Sequence, residues 1–169
     1  MAIDLKKFNV FKMTKNITSQ KVRNTILDNA LKIGIPFNMG MGLKIKYLDE
    51  KESLVESAPI YRRRNHVGTA HAISQALLGE YAAGILIAQN YDFDRYRFIL
   101  TNLTINYHKP GVGTLTGTSK APDRWPDLKD GEMFLDMFTK IYNEKNELVA
   151  DAKTTWQIKS WDKKKTPKS

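Results

Sequence analysis

The sequence contains no cysteine. That excludes a disulfide framework, a thiolate metal site and a cysteine nucleophile. It also lacks any long apolar run. The longest, YAAGILIA at 81–88, is far short of the roughly 20 residues a helix needs to cross a bilayer. The opening MAIDLKKFNVFKM has no apolar centre of the secretory-signal kind, so a soluble cytoplasmic protein is expected. Internal repeats and low-complexity domains are missing too. What is present is a chain of 169 residues, 41% hydrophobic, enough for one domain with a sizeable core.

Acidic residues are scarce at both ends, and this locates the net charge of +9. Residues 1–21 hold five Lys against one Asp, and residues 159–169 repeat that balance. The body between them is nearly neutral. The expected organisation is a basic N-terminal segment 1–18, a single domain 19–161 and a basic C-terminal tail 162–169. No recognition motif accompanies the basic ends, so nucleic-acid binding is disfavoured and solvated termini are the simpler reading.

Hydrophobic spacing outlines an α+β domain. SQKVRNTILDNALKIG, 19–34, carries Val22, Ile26, Leu27, Ala30 and Leu31 at helical intervals, with Ser19 placed to cap it and Gly34 to end it. LKIKYLDEKESLVESAPIY reads as a hairpin. From Ala70 to about Ala88 the chain predicts a second helix, apolar around most of its circumference and so buried on nearly all sides. Four extended runs follow: YRFILTNLTINY, GTLTGTSKA, EMFLDMFTKIY and ELVADAKTTWQIKSW. Leu148, Ala150, Ala152, Thr154, Trp156 and Ile158 alternate with mostly polar neighbours, as a half-buried strand requires. The simplest arrangement curls an antiparallel sheet around the buried helix.

The stretch NHVGTAHAISQALLGE, 65–80, is the one that carries chemistry. Asn65, Gly68, His71 and Glu80 stand in the order Asn, two residues, Gly, two residues, His, then a carboxylate nine residues on. This resembles the motif of hotdog-fold thioesterases of the phenylacetate-pathway type. INYHKPG resembles that family's later strand and turn, and the wording is closer still to a hotdog branch of unassigned function. The resemblance spans about residues 40–160. It implies a hotdog fold, a homodimer (with a dimer of dimers open), an acyl-CoA or related thioester as partner, and no cofactor beyond the coenzyme A of the substrate. It also implies that the N–H just after the His, here Ala72, forms an oxyanion hole. A Ser or Thr helper is expected on the strand after the helix. Here the matching position falls near Leu100, with Thr101 adjacent, so either a bulge shifts the register or the helper is absent.

The residue types suit that chemistry. A helix N-terminus supplies free N–H groups and the positive end of a dipole. Gly68 allows a tight turn before it. Asn65 is a candidate to hold water or carbonyl, and Glu80 is a candidate general base, with the role of nucleophile as the alternative. Nine residues at about 100° each place His71 and Glu80 on opposite sides of one helix, roughly 13 Å apart along the axis. A site using both is therefore expected to draw Asn65 and His71 from one subunit and Glu80 from another.

Plainer readings stand beside these. Glu80 could reach an Arg or solvent, and His71 and His66 could be ordinary hydrogen-bonding residues. The run Arg62, Arg63, Arg64 is a solvated charge cluster or a grip for coenzyme A phosphates. Acyl-CoA thioesterase is the leading functional expectation. A non-catalytic acyl or acyl-CoA binding protein is the alternative, with a hydratase or dehydratase behind it.

Overall fold

The computed structural model describes residues 9–128 and 131–161. The expected basic tail 162–169 and the first eight residues of the expected N-terminal segment lie outside them. The long helix, α3 (Ala72–Asn90), lies against an antiparallel sheet of six strands. These are β1 (Leu43–Leu48), β2 (Glu52–Ser57), β3 (Tyr96–Tyr107), β4 (Leu115–Lys120), β5 (Glu132–Tyr142) and β6 (Leu148–Ser160), in the spatial order β1-β2-β4-β5-β6-β3. The architecture is the hotdog fold.

Alternation sets the inner face of the sheet. Val55, Leu115, Met137, Ile141, Ala150, Ala152, Trp156 and Ile158 are all buried against the helix side. α3 comes close because its facing residues are small. A Cβ added to Gly79 would meet the Ala152 Cβ at 2.7 Å, below any van der Waals separation. At this range the sheet hydroxyls also reach the helix: Ser53 donates to the Ala82 carbonyl at 2.7 Å and Thr139 to the Gly79 carbonyl at 2.9 Å. Each gives a buried polar group a partner.

Two shorter helices, α1 (Val10–Met13) and α2 (Gln20–Gly34), precede the sheet. Val10 and Phe11 are buried, so the packed body begins before residue 19, the boundary expected from sequence. α2 also departs from expectation. Leu27 and Leu31 are buried as predicted, but Val22 and Ile26 face outward, and Arg23, Asn24 and Asp28 are buried in their place. The reason is the edge of β1. Asp28 accepts from the Ile45 N–H at 2.9 Å, Asn24 donates to the Lys46 carbonyl at 3.1 Å and Arg23 to the Leu48 carbonyl at 2.9 Å. Side chains of α2 thus take the hydrogen bonds a seventh strand would take. Ser19 is the N-cap residue of α2 but makes no side-chain capping bond.

Among the described residues the opposite edge has no such cover. β3 is twelve residues long and pairs only with β6 among the described residues. Its register breaks once: Leu100 faces Trp156 and Asn102 faces Thr155, which leaves Thr101 as a bulge. The inner face therefore changes parity, from Phe98 and Leu100 before the bulge to Leu103, Ile105 and Tyr107 after it.

Candidate functional site

The loop before α3 is built around Asn65. Its Oδ1 accepts the N–H groups of Val67 and Thr69, at 3.1 and 3.0 Å, and its amide donates to the Thr69 hydroxyl at 2.9 Å. Gly68 supplies the φ of +83° that the turn requires. His71 is the N-cap of α3, and its Nδ1 accepts from the Ile73 N–H at 3.1 Å. A neutral ring so bonded carries its proton on Nε2. The His71 carbonyl accepts from the N–H groups of Ser74 and Gln75 and from the Ser74 hydroxyl at 2.7 Å. Of the four free donors at this helix start, the Ala72 N–H is the one with no acceptor among the described residues. Tyr107 donates to the Ala72 carbonyl at 2.8 Å and ties β3 to the first turn. The expected oxyanion donor is therefore exposed and unpaired, and its own peptide group is polarised through the His71 carbonyl.

Glu80 sits more than two turns further on, about 12 Å along the axis from Ala72. With Ile73, Leu77 and Gly84 it forms the one stripe of α3 that is not fully buried; the rest of the circumference is buried, as expected. The stripe faces a cavity of about 580 Å³. Phe11 and Leu31 wall it from the N-terminal helices, Phe37 from the turn after α2, and Phe98, Leu103 and Trp156 from the sheet. No hydrogen bond or ion pair reaches the Glu80 carboxylate among the described residues. Burial in this apolar setting pushes its pKa up from 4.5 to about 7.

The structure separates the other expected site residues. Arg63 turns inward and is buried. It donates to the Ser57 carbonyl and hydroxyl, at 2.6 and 2.5 Å, and to the Gly113 carbonyl at 2.8 Å. It fastens the loop to the sheet and is not free to hold a phosphate, a correction to its place in the Arg62–Arg64 cluster. Arg62 and Arg64 are exposed beside it, as is His66. Thr101 donates to the Thr155 carbonyl at 3.0 Å, so the bulge is real and its hydroxyl is engaged there. Asn65 retains one amide proton beyond its turn bonds. His71 and Glu80 are on different sides of the helix and do not meet within the chain.

Ser74, Tyr107 and the cavity wall were not foreseen. INYHKPG pointed at Tyr107, but the parity that turns it inward depends on the bulge. Among the described residues no cluster of His, Asp or Glu is placed to hold a metal ion, and no helix is long and apolar enough to cross a membrane.

A central helix half enclosed by an antiparallel sheet, with a loop-bound N-terminus and a lone carboxylate on the open stripe, defines a protein of the hotdog fold. The chain belongs to a family known as a domain of unknown function, DUF4442, whose model matches residues 23–158. Solved structures share the fold. A protein of unknown function from Pseudomonas aeruginosa, called a probable thioesterase, superposes with a TM-score of 0.68 at 20% identity over 80% of this chain and 95% of that one. A variant of a thioesterase from the same organism gives 0.68 at 13% identity, covering 81% and 94%. A variant of a Staphylococcus aureus thioesterase gives 0.64 at 18%, covering 73% and 98%. No curated protein matches the chain.

Proposed function

We propose that the protein hydrolyses an acyl thioester, most simply an acyl-CoA, with Glu80 as general base. One observation carries the reading: a carboxylate without a partner, raised to a pKa of about 7, on the wall of an apolar cavity large enough for an acyl group. Such a group is a stability liability unless it is used. In the proposed reaction Glu80 takes a proton from water as the water oxygen bonds to the thioester carbon. The carbonyl oxygen becomes an oxyanion held by the Ala72 N–H and the α3 dipole. Collapse re-forms the carbonyl and breaks the C–S bond. The thiolate leaves with the proton returned by Glu80, and a carboxylic acid remains.

The opposed directions of His71 and Glu80 favour a site shared between two chains. We assign the oxyanion donor to one subunit and the base to its partner, in a dimer joined along the uncovered β3 edge. Arg62 and Arg64, beside the α3 N-terminus, are the cations proposed to meet the phosphates of coenzyme A. The engagement of the Asn65 Oδ1 within its own turn favours a second reading, an acyl-CoA binding protein without turnover.

A panel of acyl-CoAs, with thiol release followed by a thiol reagent, separates the two. The protein has no cysteine of its own to add background. Hydrolysis is expected, and Glu80→Gln should lower kcat by about a hundredfold or more. Wild-type turnover in that variant would overturn the mechanism. Binding by titration calorimetry with no thiol release from any acyl-CoA would leave the binding protein.

A further inference from the structure

We propose that the outward face of α2 and the turn after it form a docking surface for anionic lipid. The face is apolar where a solvated helix would be polar. Val22, Ile26 and Ile33 recur along one stripe of α2 at helical spacing and are exposed. Phe37 and Met39 continue the face beyond the helix, at 65% and 57% exposure. Of the 18 large apolar residues exposed among the described residues, seven lie between Met13 and Met39. A concentration of this kind on one segment marks a contact surface.

Charge selects the partner. From Asn9 to Leu48 the sequence has seven basic residues and one acid, Asp28. Asp28 is turned inward onto the Ile45 N–H, so it does not offset the outer face. Lys15 and Lys21 are exposed and Lys32 partly so, all flanking the apolar stripe. Lys44 stands exposed on β1. Asp94 and Glu56 are paired with Lys12 and Lys46 at 3.7 and 3.2 Å, and Asp49 and Glu50 stand beside Lys15 and Arg23 at the start of α2, away from Ile33, Phe37 and Met39. An apolar stripe bordered by lysines is the pattern of a helix that lies in the plane of a membrane surface, with its apolar side in the acyl boundary and its cations among anionic headgroups. The buried polar residues of α2 are committed to the β1 edge, so the helix keeps its place in the fold while its other side is offered to lipid.

The position of the face is informative. Ile35 and Phe37 stand on it and also line the cavity that holds Glu80. An acyl chain leaving a lipid surface would reach that cavity without crossing water. Lipid docking itself does not depend on whether a thioester is cleaved there.

The test is co-sedimentation of the full chain with vesicles of phosphatidylcholine alone, and of phosphatidylcholine containing about a third phosphatidylglycerol. Binding is expected only to the anionic vesicles, falling as salt is raised. Ile33→Ser with Phe37→Ser should weaken it by about tenfold or more. Lys21→Glu with Lys32→Glu should do the same, and it alters no apolar contact, so it serves even if the first pair lowers the melting temperature. A chain ending at Trp161 should bind as the full chain does. Three results would overturn the proposal: no sedimentation with anionic vesicles, both double variants binding like wild type, or binding lost with the C-terminal tail. A fourth would be a drop in the mass of the free protein on changing Ile33 and Phe37, which would make the face a contact between subunits.

Discussion

Glu80 and Asp28 are both carboxylates on helices packed into the core, and their surroundings give them opposite tasks. Asp28 has the Ile45 N–H as a donor, whereas no hydrogen bond or ion pair reaches Glu80 among the described residues and its cavity is lined mostly by apolar side chains. For Glu80 the folded pKa, about 7, lies above the unfolded value of 4.5. The stability of the neutral form is complete below pH 4.5 and is lost as pH rises through 7, where the fold must hold a charge without a partner. The shift corresponds to roughly 3 kcal/mol. Glu80→Gln should therefore melt close to wild type at pH 5 and well above it at pH 8. Melting curves with the same gap at both pH values would refute a buried, untethered carboxylate. If Glu80 is the base, hydrolysis should also rise with pH through about 7 in the wild type. Glu80 itself was legible in the sequence, as one acid in an apolar run. The inward turn of Arg63 was not, because three consecutive arginines read alike until the Ser57 and Gly113 carbonyls select one of them.

At the scale of elements, strands were the more legible part. The runs at 96–107 and 132–142 match β3 and β5 residue for residue, because alternation reports directly on a half-buried sheet. α2 was found in position, with Leu27 and Leu31 buried as expected but Val22 and Ile26 on the outside. Sequence periodicity finds apolar stripes, and here the buried stripe is partly polar because it replaces a strand partner. Asp28→Ala would leave the Ile45 N–H buried without an acceptor. That should cost about 1–3 kcal/mol, or a few degrees of melting temperature per kcal/mol in a domain of this size. An unchanged melting temperature would show that the edge is not held in this way. Gly79→Ala tests the contact between α3 and β6. Alanine improves helix propensity by about 1 kcal/mol, but its methyl would sit 2.7 Å from the Ala152 Cβ, an atom fixed to the backbone of a central strand. Overpacking should win by about 1–2 kcal/mol net, read as a lower midpoint in urea. A stabilised Gly79→Ala protein would mean that helix and sheet can move apart freely.

At the scale of the whole molecule, the cavity is the part no sequence pattern revealed. Its wall joins Phe11, Leu31, Phe37, Phe98, Leu103 and Trp156, from five separate segments. Only the sheet's curvature and the packing of the N-terminal helices bring them together. The open stripe of α3 and the uncovered β3 edge lead to the expectation that the protein is a dimer at micromolar concentration. Light scattering coupled to gel filtration should give twice the mass of the chain. A monomer that keeps full activity would rule out a site shared between subunits.

The sealing of β1 by α2 has a further result for assembly. A sheet free at both edges can add copies in either direction, and nothing then stops the stack from lengthening into a fibre. Here Arg23, Asn24 and Asp28 occupy one edge with bonds that lie within the chain. If two copies join along β3 as proposed, both outer ends of the combined sheet would be α2-covered ends. In the proposed dimer the sheet could then lengthen no further, and the side chains that stabilise one chain would also act as terminators of the sheet.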